Sequence, residues 1–541
     1  MKKLSSCATM VDSLSAWYPL AVQAHNHITA IACQPFDRPQ LLAQFQAWSR
    51  DLGNLPLYLI NPGFPQLQQV ISASPNGFQV QPTPNLFPAP ISHPSALLTQ
   101  LQQNPQSGIF IVEGLSLQGT EQHQLHNLFE QLRVNPIPCH LVLVAEHFTL
   151  PVGLHGMVPL LKLPYPDLAQ VEAVVERCLT QFQPQGEGQP GDRLRLRQAL
   201  QGLGCGEMDW VLAQQTPWSD SVAALAQRVL DYKIAKLRGR GLEFIGQPDV
   251  PQAAGLDLLD ARLERIAALL DPAAAQHHLK FPTGMVLWGL PGTGKSLSAK
   301  LAAKTLGVPL LSADWNGLRG TTSTESLANL RFLLDTAEAI SPCVLYFDDF
   351  DKGFAGWDTD ITAKQSAQRL LTWMQEHTAP VLVLATVNRL GLLPVELQRR
   401  LPEVFFFDLP HDGARYDIFN LHLALYFPAF RLAPGQPSPF TDGQWRELLT
   451  AYRLCIPDEI GNAVRRVAED CFYQHWQDGR GDQPLQVTFE QLLAQRQAFT
   501  PALVREEGPM LEIRNHATYA KPVSSPDTSR FARPQQELFE Y

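Results

Sequence analysis

Short apolar runs recur along the first 185 residues, spaced so that a helix fits between them. Leu57-Tyr58-Leu59-Ile60, Ile109-Phe110-Ile111-Val112 and Leu141-Val142-Leu143-Val144 are strand-length and continuous rather than alternating. Runs of this kind, separated by helical patterns, predict a parallel sheet buried on both faces. A second set, Met285–Trp288, Val344–Phe347, Val381–Val387 and Val404–Phe407, predicts another α/β region from about 250 to 410. Helical periodicity fills 411–497. Gln183-Pro184-Gln185-Gly186-Glu187-Gly188-Gln189-Pro190-Gly191 is turn-rich and nearly free of apolar residues, the composition of a linker. The expected organisation is an N-terminal α/β domain (1–182), a linker and helical bridge (183–245), an α/β core (246–410), a helical lid (411–500) and a mobile tail (501–541). The tail is rich in Pro, Ser and charge and has little periodicity.

The two α/β regions echo one another. Ile109–Val112 followed by Glu113, then Leu141–Val144, then Leu160–Leu163 before Pro164, parallels Val344–Phe347 followed by Asp348, then Val381–Leu384, then Val404–Leu409 before Pro410. The N-terminal domain reads either as a degenerate copy of the later sheet or as an unrelated parallel sheet of generic sequence.

Composition narrows the class. The 541-residue chain is 45% hydrophobic and 17% charged, the balance of a globular protein with a real core, and its net charge of −10 disfavours nucleic acid as a partner. The basic group Arg228, Lys233, Lys236, Arg238 and Arg240 reads as a solvated helix face. None of the eight cysteines forms a CxxC pair, which leaves zinc and dithiol chemistry without support and fits a reducing compartment. Met1-Lys2-Lys3 is basic but no sustained apolar stretch follows, so no signal peptide is expected; no run is long enough to span a membrane, and the expected location is cytoplasmic.

Gly289-Leu290-Pro291-Gly292-Thr293-Gly294-Lys295-Ser296 matches GxxxxGK[ST], follows an apolar strand and opens a helix carrying Leu297, Leu301 and Leu306. That context is what a phosphate loop requires: glycine backbone wraps a phosphate at the positive end of a helix, Lys295 reaches the β- and γ-phosphates, and Ser296 ligates magnesium. Val344-Leu345-Tyr346-Phe347-Asp348-Asp349 is a buried strand ending in two carboxylates. Asp348 is the candidate for the magnesium shell and Asp349 for the base that orients water. A Glu is usual there, and Asp is one methylene shorter, which predicts slow hydrolysis. Asn388, closing the strand Val381–Val387, is either a turn former or an amide that bonds the γ-phosphate and water. Arg399 and Arg400 precede the strand Val404–Phe407, as a solvated pair or as a finger presented to a neighbouring subunit. The N-terminal domain has no Gly-Lys pair near Asn61-Pro62-Gly63-Phe64, where a copy's phosphate loop is expected, so no nucleotide site is expected in it.

Phosphate loop, Asp-Asp strand, Asn strand, Arg pair and helical lid, in that order, resemble the AAA+ ATPases. Gly284 to Ser298, Ile340–Cys343, Phe350-Asp351-Lys352, Leu370–Glu376, Leu393–Leu397 and Ile418–Leu423 are similar to the AAA+ proteins known as a conserved hypothetical reading frame of chloroplast and cyanobacterial genomes. The similarity is strong over about 250–425 and weaker back to about residue 14. The resemblance implies ATP and Mg2+ as ligands, with Gly294, Lys295, Ser296, Asp348, Asp349 and Asn388 in the ATP roles. It favours Arg400 over Arg399 as the finger, on a segment two residues shorter than the family's. It places Ala254 and Gly255 in the adenine pocket, with His422 touching the nucleotide from the lid or simply packing. It further implies a homo-oligomer, commonly six subunits, acting on a protein partner the sequence does not name. The pore loop falls near Arg319–Glu325, where Thr and Ser replace the aromatic-aliphatic pair of threading motors, so processive unfolding is not expected. Arg465 and Arg466 on the helix after Ile456-Pro457-Asp458 are further lid arginines without support from the resemblance. Three functions compete: an ATPase that remodels or regulates a partner, an ATP-gated scaffold that hydrolyses little, and a nucleic-acid motor, which the acidic balance disfavours.

Overall fold

The computed structural model describes residues 27–533 apart from 76, 118, 135–136, 147, 149, 183–191, 216–220, 239–241, 247, 249, 251–252, 315–316, 319–321, 355–360, 433–435, 516 and 518–519. The expected linker 183–191 and the tip of the expected pore loop, 319–321, lie outside the described residues. The chain forms two compact units, residues 1–233 and 234–541.

The first unit runs β1 (Ile28–Ala32), α1 (Arg38–Asp51), β2 (Leu57–Ile60), β3 (Gln68–Ser74), β4 (Gly77–Pro82), α2 (Pro94–Gln103), β5 (Gly108–Glu113), α3 (Thr120–Val134), β6 (Cys139–Ala145) and β7 (Leu160–Lys162). Its sheet has the order β4-β3-β2-β5-β6-β1-β7, parallel from β2 to β7, with the β3–β4 hairpin antiparallel at one edge. Alternation across the strands sorts the core into two layers. Phe110, Val112, Leu141 and Leu143 face α2 and α3, while Ile109, Ile111, Val142 and Val144 face Leu41, Phe45 and Trp48 of α1. Four helices follow: α4 (Leu168–Phe182), α5 (Asp192–Leu200), α6 (Cys205–Gln215) and α7 (Val222–Arg238). They share one core that includes Val175, Leu196, Met208, Val211 and Leu225. Helix α4, assigned from sequence to the N-terminal α/β domain, thus belongs to a bundle with α5–α7. Lys233, read from sequence as solvated, is buried with Nζ bonded to the carbonyls of Gln198 (3.0 Å) and Gln201 (2.7 Å).

The second unit runs β8 (Leu242–Ile245), α8 (Asp257–Ala268), β9 (Gly284–Gly289), α9 (Lys295–Leu306), β10 (Leu310–Asp314), α10 (Ser323–Ile340), β11 (Cys343–Asp348), α11 (Ile361–Glu376), β12 (Val381–Val387), α12 (Val395–Arg400) and β13 (Glu403–Phe407). The lid follows as α13 (Asp412–Tyr426), α14 (Asp442–Ala451), α15 (Pro457–Gln477) and α16 (Phe489–Gln497), then α17 (Glu507–Asn515) and the short strand β14 (Lys521–Pro522). The sheet order is β14-β13-β9-β12-β11-β10-β8. One face packs on α8 and α9 through Met285, Leu287, Val344, Tyr346, Leu382 and Leu384. The lid has its own aromatic core around Phe419, Phe427, Trp445 and Tyr452.

Two further sequence expectations are corrected. The tail from 501 is not unstructured where it is described. Residues 502–505 and 507–515 are helical, β14 pairs with β13, Val523 buries in the core of the sheet and Phe531 in that of the lid. Two buried apolar anchors, roughly 1.5–3 kcal/mol each, plus the Arg533–Asp412 pair (2.6 Å), hold a segment whose apolar residues are too far apart to show periodicity. The second correction concerns the phosphate-loop counterpart in the first unit. Leaving aside β3 and β4 in the first sheet and β14 and β8 in the second, the first reads β7-β1-β6-β5-β2 and the second β13-β9-β12-β11-β10, the same order of chain positions. The counterpart of the loop after β9 therefore follows β1, at residues 33–37. Asn61-Pro62-Gly63-Phe64 follows β2, the counterpart of β10.

Candidate functional site

The loop between β9 and α9 is built for a left-handed path. Gly292 has φ +74° and Gly294, the N-cap of α9, has φ +96°. A Cβ on Gly292 would lie 2.6 Å from Ile456 Cδ1, so a side chain there is strained by the backbone and has to displace Ile456. Thr293 is buried and donates to Leu290 O (2.7 Å), closing the turn. Lys295 is also buried. Its Nζ donates to Gly289 O (2.8 Å), Leu290 O (2.8 Å) and Asn388 Oδ1 (3.1 Å). Burial pushes its ammonium down to about 8, against the pull of Asp349, Asp351 and Asp348.

Strands β11 and β12 deliver the acids and the amide. Asp348 Oδ1 accepts from Thr386 Oγ1 (2.6 Å), Tyr346 OH (2.7 Å) and Asp349 N (3.1 Å). Burial opposes its ionisation, but these hydrogen bonds and the charge of Lys295 outweigh that and hold the carboxyl below its ordinary value. All three bonds go to one oxygen, which leaves Oδ2 as the atom available to a cation. The Tyr346 hydroxyl is also in hydrogen-bond reach of Ser296. Asp349 sits at φ +45°. Its Oδ1 accepts from Asn388 Nδ2 (2.9 Å) and its Oδ2 from Lys352 Nζ (2.5 Å). Asp351, 2% exposed, accepts from the backbone N of Asn388 (3.3 Å) and Arg389 (3.0 Å), fixing the turn that presents Asn388.

These groups line one cavity of about 470 Å³: Pro291, Gly292, Gly294, Lys295, Ser296 and Leu297 from the loop, Asp348 and Asp349 from β11, Thr386 and Asn388 from β12, and His422, Pro457 and Asp458 from the lid. The lid touches the loop directly through Asp458 N to Gly292 O (3.2 Å). Burial lowers the His422 imidazole, opposed by Asp458, and a Cβ on Gly461 would meet its ring at 2.7 Å, so this His both packs and faces the cavity. Ala254 and Gly255 line a second cavity of about 470 Å³ against Asp417, Asn420 and Leu421 of the lid.

Arg399 and Arg400 stand apart, on α12 and exposed. With the Gln375 amide turned to satisfy both partners, its oxygen accepts from Arg400 Nε at 3.2 Å. Arg465 pairs with Glu469 (2.8 Å), and both Arg465 and Arg466 line a neighbouring cavity instead. Of the expected pore segment, Thr322 caps α10 by accepting from Glu325 N (3.1 Å), and Ser323 opens the helix.

Sequence reasoning missed Tyr346, Thr386, Asp351, Lys352 and Asp458 as parts of the site. A signal existed for two of them: Tyr346 and Thr386 are lone hydroxyls in otherwise apolar strands, and buried hydroxyls need partners. The donor set fits magnesium. Among the described residues no group of three or more His, Cys, Asp or Glu could hold a metal alone, whereas one hydroxyl and one carboxylate suit a cation shared with substrate phosphates.

Comparison with known proteins agrees with this geometry. The family described as "ATPase family associated with various cellular activities (AAA)" matches residues 285–409. The AAA domain-containing protein ycf46 of Guillardia theta is 33% identical over 309 residues, covering 56% of this chain and 60% of that protein. Its namesake in Pyropia yezoensis is 28% identical over 297 residues, covering 53% and 60%. The 26S proteasome subunit RPT4 of Saccharomyces cerevisiae is 28% identical over 213 residues, covering 35% and 49%. The matches with the two ycf46 proteins thus span about three-fifths of those relatives. Among the described residues no helix is long and apolar enough to cross a membrane. Residues 285–409 thus match an AAA domain, and the chain is similar to the ycf46 AAA domain-containing proteins.

Proposed function

We propose that the chain binds ATP with magnesium at the β9–α9 loop and hydrolyses it, working as a ring of like subunits, six by family habit, on a protein partner in the cytoplasm. The observation that carries this reading is the convergence of Lys295, Ser296, Asp348, Asp349 and Asn388 on one cavity from three separate stretches of chain. Backbone N–H groups from Gly289 to Leu297, at the positive end of α9, bind phosphate. Lys295 adds a charge to the β- and γ-phosphates. Ser296 and Asp348 hold magnesium, which when bound neutralises phosphate charge as it shifts toward the leaving group. Asp349 accepts a hydrogen bond from the attacking water and takes its proton, with Asn388 orienting both. Ala254 and Gly255 receive the adenine, and His422 reports the nucleotide to the lid. Arg400, with Arg399 second, lies outside its own chain's cavity and completes a neighbour's.

One observation favours a second reading, an ATP-gated switch with little hydrolysis: both oxygens of Asp349 are engaged, by Asn388 and Lys352. Asp349→Asn separates the two. For an ATPase, turnover falls at least about 100-fold while ATP affinity, measured by calorimetry, is unchanged. Wild-type turnover near zero that Asp349→Asn leaves alone selects the switch.

The Lys295 ammonium also predicts a pH dependence. Its folded pKa lies below the ordinary lysine value, so from about pH 8 upward it loses a proton the unfolded chain still holds. Its contribution to stability therefore rises with pH through that window. A bound polyphosphate draws the pKa back up, so binding above about pH 8 takes up a proton. ATP is fully ionised there. Affinity is expected to be flat from about pH 7 to 8 and to fall above it, with a slope approaching tenfold per pH unit. Titrations at stepped pH check this; constant affinity up to about pH 9.5 contradicts it.

A further inference from the structure

The two sheets share more than strand order. In the first, Ala30, Leu143, Val112 and Ile60 form one row across β1, β6, β5 and β2. In the second, Val286, Ala385, Phe347 and Ala313 form the matching row across β9, β12, β11 and β10. Counting from these rows, Glu113 stands at the place of Asp348, Glu146 at that of Asn388 and Asn61 at that of Asp314. The turn between β1 and α1 covers residues 33–37 and the phosphate loop covers 290–294, each five residues, and the first helical residue is Arg38 in one and Lys295 in the other. Counted from the rows, Arg38 comes eight residues on and Lys295 nine, because β1 ends two residues past its row and β9 three.

The side chains at these places join each other. Arg38 forks onto Glu113, Nε to Oε1 and Nη2 to Oε2 (2.8 Å), and Asn61 Nδ2 adds a bond to Oε2 (2.8 Å). The pair is largely covered, at 26% and 16% side-chain exposure. Next to Arg38, Asp37 is 3% exposed and accepts from Gly206 N in the first turn of α6 (2.7 Å). Phe36 lies against Trp210 of the same helix, ring centroids 5.0 Å apart. In the second unit the corresponding lid helix α15 touches its loop through Asp458 N and Gly292 O. The chemistry for phosphate is missing. Pro35 and Pro39 remove two backbone N–H groups from the turn and helix start. Asp37 and Glu146 stand where the second unit has the neutral Gly294 and Asn388, and carboxylates at those places repel a polyphosphate.

We infer that the first unit holds a second site of the nucleotide-site design, filled by its own Arg38–Glu113–Asn61 cluster, which keeps the α4–α7 bundle closed on the sheet with no nucleotide. The Arg38 guanidinium supplies the cation and the Glu113 carboxylate the anion that magnesium and phosphate supply in such a site, so the charges are satisfied internally. The bundle is then held by the Asp37–Gly206 contact at the base of the same helix, whatever the nucleotide state of the second unit.

Amide hydrogen exchange on the whole chain tests this, for wild type, Glu113→Gln and Arg38→Lys, the last two chosen because each retains hydrogen bonding and so favours folding. Without nucleotide, both variants are expected to speed exchange in residues 192–215 about tenfold or more, with 284–348 unchanged. Magnesium ATP is expected to protect 290–296 in wild type and to leave 33–38 and 205–215 as they were. Protection of 33–38 or 205–215 by ATP, or unaltered exchange of 192–215 in both variants, overturns the inference. If ATP protects nothing anywhere, the proposed ATP site fails, while the variant arm, run without nucleotide, still decides this one.

Discussion

Replacing Lys295 by Ala is expected to weaken ATP binding at least about a hundredfold and to reduce turnover to background. Charge-assisted hydrogen bonds contribute roughly 1.5–3 kcal/mol each, and a lysine spanning two phosphates makes more than one, so about 2.7 kcal/mol is a lower bound. The effect is large because the ammonium is already held in place. Lys295 is buried, and three acceptors already fix its ammonium: Gly289 O, Leu290 O and Asn388 Oδ1. The same contacts predict a structural cost: truncation removes a donor from Gly289 O and from Leu290 O, of which Leu290 O keeps Thr293 Oγ1, at about 1–3 kcal/mol for a carbonyl left unsatisfied. Calorimetric titration with ATP therefore needs a thermal melt beside it. Lost affinity with a melt lowered by a few degrees is the expected pair of results. Undiminished affinity places the nucleotide elsewhere.

Arg400→Ala is expected to lower turnover about a thousandfold or more, the scale on which a finger arginine acts, while ATP affinity at low protein concentration is unchanged. Arg400 is exposed on α12 and contacts Gln375 rather than its own chain's cavity. A solvated arginine with one polar contact contributes little to stability, so a merely structural role predicts almost no loss of rate. Mixing gives a sharper readout. Arg400→Ala lacks the finger but keeps Asp349, and Asp349→Asn lacks the base but keeps the finger. Mixed rings pair an intact base with an intact finger at some interfaces, so two inactive preparations are expected to recover turnover together. Arg399→Ala is expected to cost less, and recovery from Arg399→Ala instead would reassign the finger.

The chemistry at strand ends was legible because it is local. A glycine loop, a lysine and a hydroxyl within eight residues need no knowledge of the fold, and Asp348 and Asn388 close runs whose apolar continuity marks them as buried. What pairs across the sheet was not legible. Thr386 and Tyr346 reach the same Asp348 oxygen only because β12 lies beside β11 in one register, and sequence gives order along the chain, not across a sheet. The first unit shows the same limit. Its turn at 33–37 has no glycine to announce it, while Pro62-Gly63 looks like a loop and sits after the wrong strand. The echo between Ile109–Glu113 and Val344–Asp348 was visible as pattern, and strand order turned it into correspondence. The tail from 501 misled because Val523 and Phe531 are isolated apolar anchors, each buried in a different core, which no periodicity detects.

If magnesium ATP is hydrolysed at a site completed by a second copy of the chain, turnover depends on protein concentration as well as on magnesium. Steady-state ATP hydrolysis across a series of protein concentrations, with and without magnesium and with Lys295→Ala as the background, tests it most directly. The expected result is magnesium-dependent turnover per chain that rises with concentration to a plateau and is absent from Lys295→Ala. Turnover indistinguishable from Lys295→Ala at every concentration, or turnover per chain independent of concentration down to dilutions at which sizing shows only monomer, contradicts it.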